Sequence, residues 1–163
     1  MEFPLSFVLN TGTIREGGRH WQAVYFDVER NIYFFDSYGR RPMMQFIAFF
    51  ENVINHDNPQ RKLTCRGRMQ EITREIQAFN TKVCGEYCIY FLHVMSTVKQ
   101  PKNGERVMLD SFPPPITEVR HKEIRDELGN YRQFYLNDEF VKDWVQSRYN
   151  YYKIKTIFVD REK

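Results

Sequence analysis

Two runs of aromatic and β-branched residues form the clearest hydrophobic pattern in the first third of the chain. The runs Trp21 to Phe26 (WQAVYF) and Ile32 to Asp36 (IYFFD) predict two β-strands. The polar stretch Asp27 to Asn31 between them predicts a five-residue hairpin loop. A shorter strand is predicted over Ser6 to Thr11. The first third of the chain is therefore expected to be mainly β-sheet.

Helical periodicity follows these strands. Met43 to Ile54 predicts a helix, and a second helix is predicted to begin at Cys84, where apolar residues recur every three or four positions: Tyr87, Cys88, Phe91, Leu92 and Met95. Weaker helical patterns cover Thr117 to Leu128 and Asn137 to Arg148. A short strand is predicted near Leu63 to Cys65, whereas residues 69–78 give no clear pattern.

Strands mixed with helices, without strict βαβ alternation, predict an α+β domain with a central mixed or antiparallel sheet flanked by helices. The 163 residues fit a single domain spanning 1–163. The chain has no apolar run long enough to span a bilayer and no secretory pattern at its start, so a soluble, intracellular protein is expected. Three cysteines do not make a disulfide framework, and the net charge of +3 is too small to indicate nucleic acid by itself.

The hairpin brings a histidine and a carboxylate together. If Phe26 pairs with Ile32, Asp36 lies opposite Gln22. His20 precedes Gln22 by two residues and therefore points to the same face of the sheet. An aspartate in that position can hold an imidazole in one tautomer and stabilise the imidazolium.

Cys84 stands at the predicted start of the apolar helix, where the positive end of the helix dipole favours a thiolate. Gly85 lets backbone N–H groups approach a developing oxyanion, and Gln77, seven residues upstream of Cys84, offers a side-chain amide for the same purpose. A lone cysteine near a helix start is more often a small buried residue, which is how Cys88 is interpreted. The order of His20, the strand ending at Asp36, Gln77 and Cys84 favours nucleophilic catalysis instead.

These motifs resemble the adenain family of adenovirus endopeptidases and, more distantly, the Ulp-type and large-DNA-virus proteases of the same clan. The similarity covers most of the chain and is weakest between Thr97 and Tyr135. It rests on these segments: Val8 to Thr11, Gly17 to Trp21, Tyr33 to Gly39, Gln77, Cys84-Gly85, Phe91 to His93, and Phe140 to Tyr152.

The resemblance implies an adenain-like fold and a thiol protease with the nucleophile at the N-terminus of a buried helix. It implies that His20 is the base, Asp36 the orienting acid, Cys84 the nucleophile and Gln77 an oxyanion donor, with Trp21 beside the cleft. Adenoviral members tend to carry Glu at the acid position, and either carboxylate can do the work. Family substrates are viral precursor proteins cut at glycine-containing sites, which implies a narrow slot lined by backbone rather than a deep pocket. The resemblance also implies an enzyme of virion maturation found in the virion and host nucleus, and a monomer is expected.

The resemblance also implies two activators, a short basic peptide disulfide-bonded to a cysteine upstream of the nucleophile, and viral DNA. Cys65 lies near the position of that cysteine, although a structural thiol is the alternative. A local basic cluster could contact phosphates, although a solvated face is the alternative; its members are Arg61, Lys62, Arg66, Arg68 and Arg74. Only 19 residues precede His20, fewer than in adenoviral members, so part of the substrate groove is expected to be absent or to come from elsewhere.

Two other functions remain open at the level of sequence. One is an isopeptidase of the same clan that removes a ubiquitin-like modifier, and the other is a non-enzymatic scaffold or DNA-binding virion component. The presence of all four residues His20, Asp36, Gln77 and Cys84 argues against the scaffold. No Cys/His spacing resembles a zinc site, so no metal is expected to take part.

Overall fold

The computed structural model describes residues 2–12, 20–79, 81–99, 102–112 and 134–148. It contains four strands and four helices in those ranges. In chain order they are β1 (Leu5–Asn10), β2 (Trp21–Phe26), β3 (Ile32–Phe35), α1 (Met44–Ile54), β4 (Met69–Ile72), α2 (Cys84–Thr97), α3 (Gly104–Asp110) and α4 (134–148). The prediction of an α+β fold is confirmed.

The sheet is mixed, with strand order β1-β2-β3-β4. β1 pairs antiparallel with β2, β2 antiparallel with β3, and β3 parallel with β4. Phe26 is opposite Ile32, so the predicted hairpin register is confirmed. The hairpin loop is held by Asp27, whose Oδ1 accepts hydrogen bonds from the backbone N–H groups of Glu29 and Asn31.

The two central strands are covered on both faces. β3 is buried along its whole length, as expected of a strand between two layers. On one face, Phe34 and Phe26 pack against Phe50 of α1. On the other, Phe35 stacks on Phe91 of α2, with ring centroids 4.8 Å apart. The β2–β3 hairpin is therefore packed on both faces, and the residues at the end of the hairpin are held in place with it.

The predicted strand near Leu63 to Cys65 is wrong, and β4 lies instead in the segment that gave no clear pattern. The Asn55 side chain, at the end of α1, donates to the Leu63 carbonyl at 2.8 Å and accepts from the Leu63 N–H at 2.9 Å. The N–H of Cys65 donates to Glu51 Oε1 at 3.1 Å. These side chains satisfy the backbone groups that a sheet would otherwise have taken.

The helices on the α2 side depend on contacts that are distant in sequence. α3 was not predicted; it begins with an Asn103 cap, and the N–H of Gly104 donates to Gln70 Oε1 of β4 at 2.8 Å. The predicted helix Asn137 to Arg148 is confirmed as part of α4, whereas the prediction for Thr117 to Leu128 lies outside the described residues. Trp144 of α4 packs edge-on against Tyr90 of α2. No helix in the described part of the chain is both long enough and apolar enough to cross a membrane.

Candidate active site

The end of the β2–β3 hairpin gathers a histidine, a glutamine and an aspartate. His20 Nε2 lies 3.0 Å from Asp36 Oδ1, although its N–H does not point directly along that line. Gln22 Nε2 donates to Asp36 Oδ2 at 2.5 Å, and the backbone N–H of Tyr38 donates to Oδ1 at 2.7 Å. Asp36 is fully buried, as are Gln22 and His20 apart from small exposed fractions.

The electrostatics of this pair favour two opposite charges. Burial by itself would raise the pKa of Asp36, but the hydrogen bonds from His20 and Gln22 hold that pKa below its ordinary value. Burial also works against the imidazolium. The contact with Asp36, followed by that with Cys84, nevertheless raises the pKa of His20 from 6.5 to about 9. His20 is therefore protonated at neutral pH in this environment.

Cys84 is the first residue of α2, and its half-buried thiol lies close enough to His20 for each group to shift the pKa of the other. Burial opposes ionisation of this thiol. The contact with His20, the backbone N–H groups of Trp21 and Gly85, and the charge of His20 together lower the pKa of Cys84. Since Nε2 of His20 faces Asp36, the other ring nitrogen, Nδ1, remains for the sulfur. Nδ1 is buried and has no well-directed hydrogen-bond partner within the described ranges.

The other two cysteines have the opposite environment. Burial, followed by the charge of Glu51, raises the pKa of Cys65 to about 11. Cys65 is 7% exposed, and its thiol faces the carbonyl of Ile47 in the cluster beneath α1. Burial likewise raises the pKa of Cys88 well above its ordinary value. Of the three thiols, only that of Cys84 has a lowered pKa, and the buried position of Cys65 favours its alternative, the structural thiol.

Gln77 lies close to the site but is fully buried. Its Oε1 accepts from Ser37 Oγ at 2.6 Å, and its Nε2 donates to Tyr38 Oη at 3.0 Å. Nε2 also lies 3.1 Å from the carbonyl and 3.0 Å from the hydroxyl of Thr81. Both amide hydrogens are therefore engaged within the protein, and one has to be released before Gln77 can serve an oxyanion.

Trp21 and Gly85 form one border of the site. A Cβ added to Gly85 would lie 3.6 Å from Cδ1 of Trp21, so the indole lies directly over that glycine. The Trp21 side chain is 44% exposed, which leaves an apolar surface open beside the sulfur. Tyr38 lies on the other side of the imidazole, with its ring centroid 5.0 Å from that of His20.

The predicted basic cluster is only partly available for a ligand. Arg61 pairs with Asp57 at 2.6 Å, and Arg68 donates to the backbone carbonyl of Glu29. The remaining members, Lys62, Arg66 and Arg74, are exposed. The described residues contain no group of His, Cys, Asp or Glu side chains that could hold a metal ion.

Two residues that contact the site, Gln22 and Asp138, were not predicted from the sequence. Gln22 had been placed opposite Asp36 by the register, and its amide type in a buried strand was the signal that could have identified it as a partner of the carboxylate. Asp138 is 6% exposed and lies within hydrogen-bonding distance of Tyr87 on α2. No local pattern in the sequence indicated that contact.

A thiol, an imidazole and a carboxylate gathered at the ends of the two central strands are the side-chain types that nucleophilic catalysis by cysteine uses. The family of adenovirus endoproteases matches this chain over residues 2–162, and the chain belongs to that family. The resemblance derived from the sequence motifs is confirmed.

Two curated relatives are proteases of adenoviruses. The protease of porcine adenovirus A serotype 3 is 31% identical over 93 residues, covering 52% of this chain and 44% of the relative. The protease of bovine adenovirus 2 is 30% identical over 92 residues, covering 53% of this chain and 43% of the relative. The match therefore spans less than half the length of each relative.

Proposed function

We propose that this chain is a cysteine endopeptidase that cleaves viral precursor proteins at glycine-containing sites during virion maturation. The observation that supports this most is the alignment of Cys84, His20 and Asp36, together with opposite pKa changes at the sulfur and the imidazole. Membership of the adenovirus endoprotease family supports the same assignment.

The chemistry follows from these positions. The Cys84 thiolate attacks the peptide carbonyl carbon, and the electron pair of the carbonyl moves onto its oxygen. The N–H of Gly85, which already points at the sulfur region, and one released hydrogen of Gln77 stabilise that oxygen. The His20 imidazolium then donates its proton to the leaving amine as the C–N bond breaks. His20, now neutral, removes a proton from water, which attacks the thioester and releases the Cys84 sulfur.

The position of Trp21 supports the proposed preference for glycine. The indole lies over Gly85, so the space beside the sulfur has a flat apolar wall and leaves little room for a substrate side chain. We expect Trp21→Ala to raise the relative rate on a peptide with alanine in place of the glycine at the cleavage site. An unchanged Gly/Ala rate ratio would contradict a role for Trp21 in that preference.

The test of the nucleophile uses the three cysteines as internal controls. Brief alkylation with iodoacetamide at neutral pH, followed by mass spectrometry of the peptides, should modify Cys84 and leave Cys65 and Cys88 unmodified. Cys84→Ala should abolish cleavage of a Gly-Gly peptide, and Cys88→Ala, a matched change one helical turn along α2, should retain it. Cleavage by a folded Cys84→Ala variant would exclude the assignment.

Substrate choice separates this proposal from its relatives in the clan. Cleavage of peptides taken from viral precursors, without action on a ubiquitin-like modifier ending in Gly-Gly, supports the endopeptidase. The reverse result would identify an isopeptidase. A chain that alkylates at Cys84 but cleaves neither substrate, with or without a basic cysteine-containing peptide and DNA, would favour the scaffold.

Two activators are proposed, DNA at the basic cluster and a peptide at Cys65. DNA would contact the exposed residues Lys62, Arg66 and Arg74, and its affinity would fall steeply with salt. A disulfide from a peptide to Cys65 would require that buried thiol to be uncovered first. Association with the virion and the host nucleus is proposed from the family alone.

A further inference from the structure

A buried carboxylate on α4, that of Asp138, contacts both α2 and the segment that contains Gln77. Asp138 Oδ1 accepts a hydrogen bond from the hydroxyl of Tyr87 at 2.7 Å and from the backbone N–H of Ala78 at 3.3 Å. Tyr87 lies three residues after Cys84, one turn along α2. Ala78 directly follows Gln77. One oxygen atom of Asp138 thus contacts both α2, which begins at Cys84, and the segment that contains Gln77.

The other peptide next to Gln77 is held by the same helix. The carbonyl of Ile76 accepts from Asn137 Nδ2 at 3.1 Å and lies 3.2 Å from the oxygen of the Tyr87 hydroxyl, whose one hydrogen is donated to Asp138. The backbone groups on both sides of Gln77 are therefore fixed by α4 and α2. The Gln77 side chain itself is held by Ser37, Tyr38 and Thr81.

The chemical type of Asp138 is unfavourable for a simple packing contact. Burial raises the pKa of Asp138 even though Tyr87, Ala78 and the nearby Thr81 side chain act to lower it, and its Oδ2 has no well-directed hydrogen-bond partner in the described part of the chain. An apolar residue in that place would join α4 to α2 without such a penalty. What an apolar residue would not provide is an acceptor placed between Tyr87 and the peptide that follows Gln77.

We propose that Asp138 is a positioning residue that sets the distance between the Gln77 amide and the Cys84 sulfur through Tyr87 and Ala78. This rests on the proposed function, in which Gln77 stabilises the oxyanion. The hydrogen bonds of Asp138 go to Tyr87 and Ala78 and not to His20 or Asp36, so its loss should disturb the oxyanion position and leave the thiolate unaffected.

The experiment compares two ligands of the same sulfur. A peptide aldehyde ending in glycinal forms a tetrahedral adduct whose oxygen occupies the oxyanion position, whereas iodoacetamide alkylates the thiolate without one. In Asp138→Ala, we expect kcat on a Gly-Gly peptide and affinity for the aldehyde each to fall by about 10- to 100-fold, as for other small misplacements. KM and the iodoacetamide rate should stay within about threefold, because the thiolate pair is untouched.

Conservative and matched variants complete the design. Asp138→Asn keeps an acceptor at Oδ1, and it should recover most of the aldehyde affinity. Asp143→Ala removes the same chemical group from an exposed position on the same helix, and it should behave as the parent chain. Should Asp138→Ala fail to fold, Tyr87→Phe removes one hydroxyl from the network. This variant should bind the aldehyde more weakly and keep the parent rate of alkylation.

Three results would overturn the positioning role. The first is an aldehyde affinity that is unchanged in folded Asp138→Ala or in Tyr87→Phe. The second is an alkylation rate that falls as much as the aldehyde affinity does. The third is a folded Asp138→Asn chain that recovers none of the aldehyde affinity. Absence of peptide cleavage by the parent chain would instead count against the proposed function. The ratio of aldehyde affinity to alkylation rate would still report on Asp138 in that case.

Discussion

The carboxylate of Asp36 can be tested by changing its charge while keeping its shape. Asp36→Asn retains an oxygen that can accept from the Tyr38 N–H but removes the negative charge 3.0 Å from His20 Nε2. A pKa of about 9 for His20, against 6.5 ordinarily, corresponds to about 3 kcal/mol of net stabilisation of the imidazolium. That stabilisation is reached against the opposing effect of burial, which the substitution leaves in place.

Since Asp36 is the larger of the two groups that raise it, we expect the pKa of His20 to fall by about two units, most of the way to its ordinary value. The pKa of Cys84 should rise in step, because its thiolate loses the adjacent positive charge. At pH 6 the rate of alkylation by iodoacetamide should drop about 100-fold, and near pH 9.5 it should approach that of the parent chain. The kcat/KM for peptide cleavage should fall by about 10²- to 10⁴-fold.

The assay is the alkylation rate from pH 5 to pH 10, with Asp110→Asn on α3 as the exposed control. The unfolding free energy of Asp36→Asn should fall by about 1–3 kcal/mol, since the Gln22 amide loses its acceptor. A folded Asp36→Asn chain that keeps the parent rate at pH 6 would show that the charge of Asp36 does not maintain the thiolate pair.

Two further predictions concern pH and the backbone. Cleavage requires the Cys84 thiolate and the His20 imidazolium together, so kcat/KM should fall below the lowered pKa of Cys84 and again as pH rises through about 9, where His20 loses its proton; an alkaline limb near 6.5 in the pH profile would contradict this. Gly39 and Gly67 both have positive φ, +78° and +75°. A Cβ at Gly39 would lie 3.0 Å from the Thr73 carbonyl oxygen, whereas a Cβ at Gly67 would meet nothing within 4 Å. Chemical denaturation should show Gly67→Ala to be less stable than the parent by about 1–2 kcal/mol and Gly39→Ala by about 1–3 kcal/mol more; equal losses would contradict the clash.

The hairpin was predictable because its information is local. The five-residue loop fixes the pairing of Phe26 with Ile32, and that pairing carries the relation between His20 and Asp36 with it. The start of α2 at Cys84 was predictable for the same reason, since its apolar stripe is continuous over several turns.

The remaining features depend on residues far apart in sequence. β4 (MQEI) is short and only Ile72 is fully buried, so its alternation is too weak to indicate a strand without β3 beside it. α3 has seven residues and packs so closely that a Cβ on Gly104 would lie 2.9 Å from the Tyr33 ring. The contact between Asp138 and Tyr87 spans 51 residues, and no periodicity encodes it.

The burial of β2 and β3 from both faces has a consequence for the newly made polypeptide. The histidine and the carboxylate meet only where these strands pair, and the sulfur reaches them only after the much later helix α2 has docked. Until then, Cys84 lacks the imidazolium that lowers its pKa, and its thiol is as unreactive as that of any unstructured cysteine. The proposed thiolate–imidazolium pair therefore exists only in a chain in which β2 has paired with β3 and α2 has packed against them.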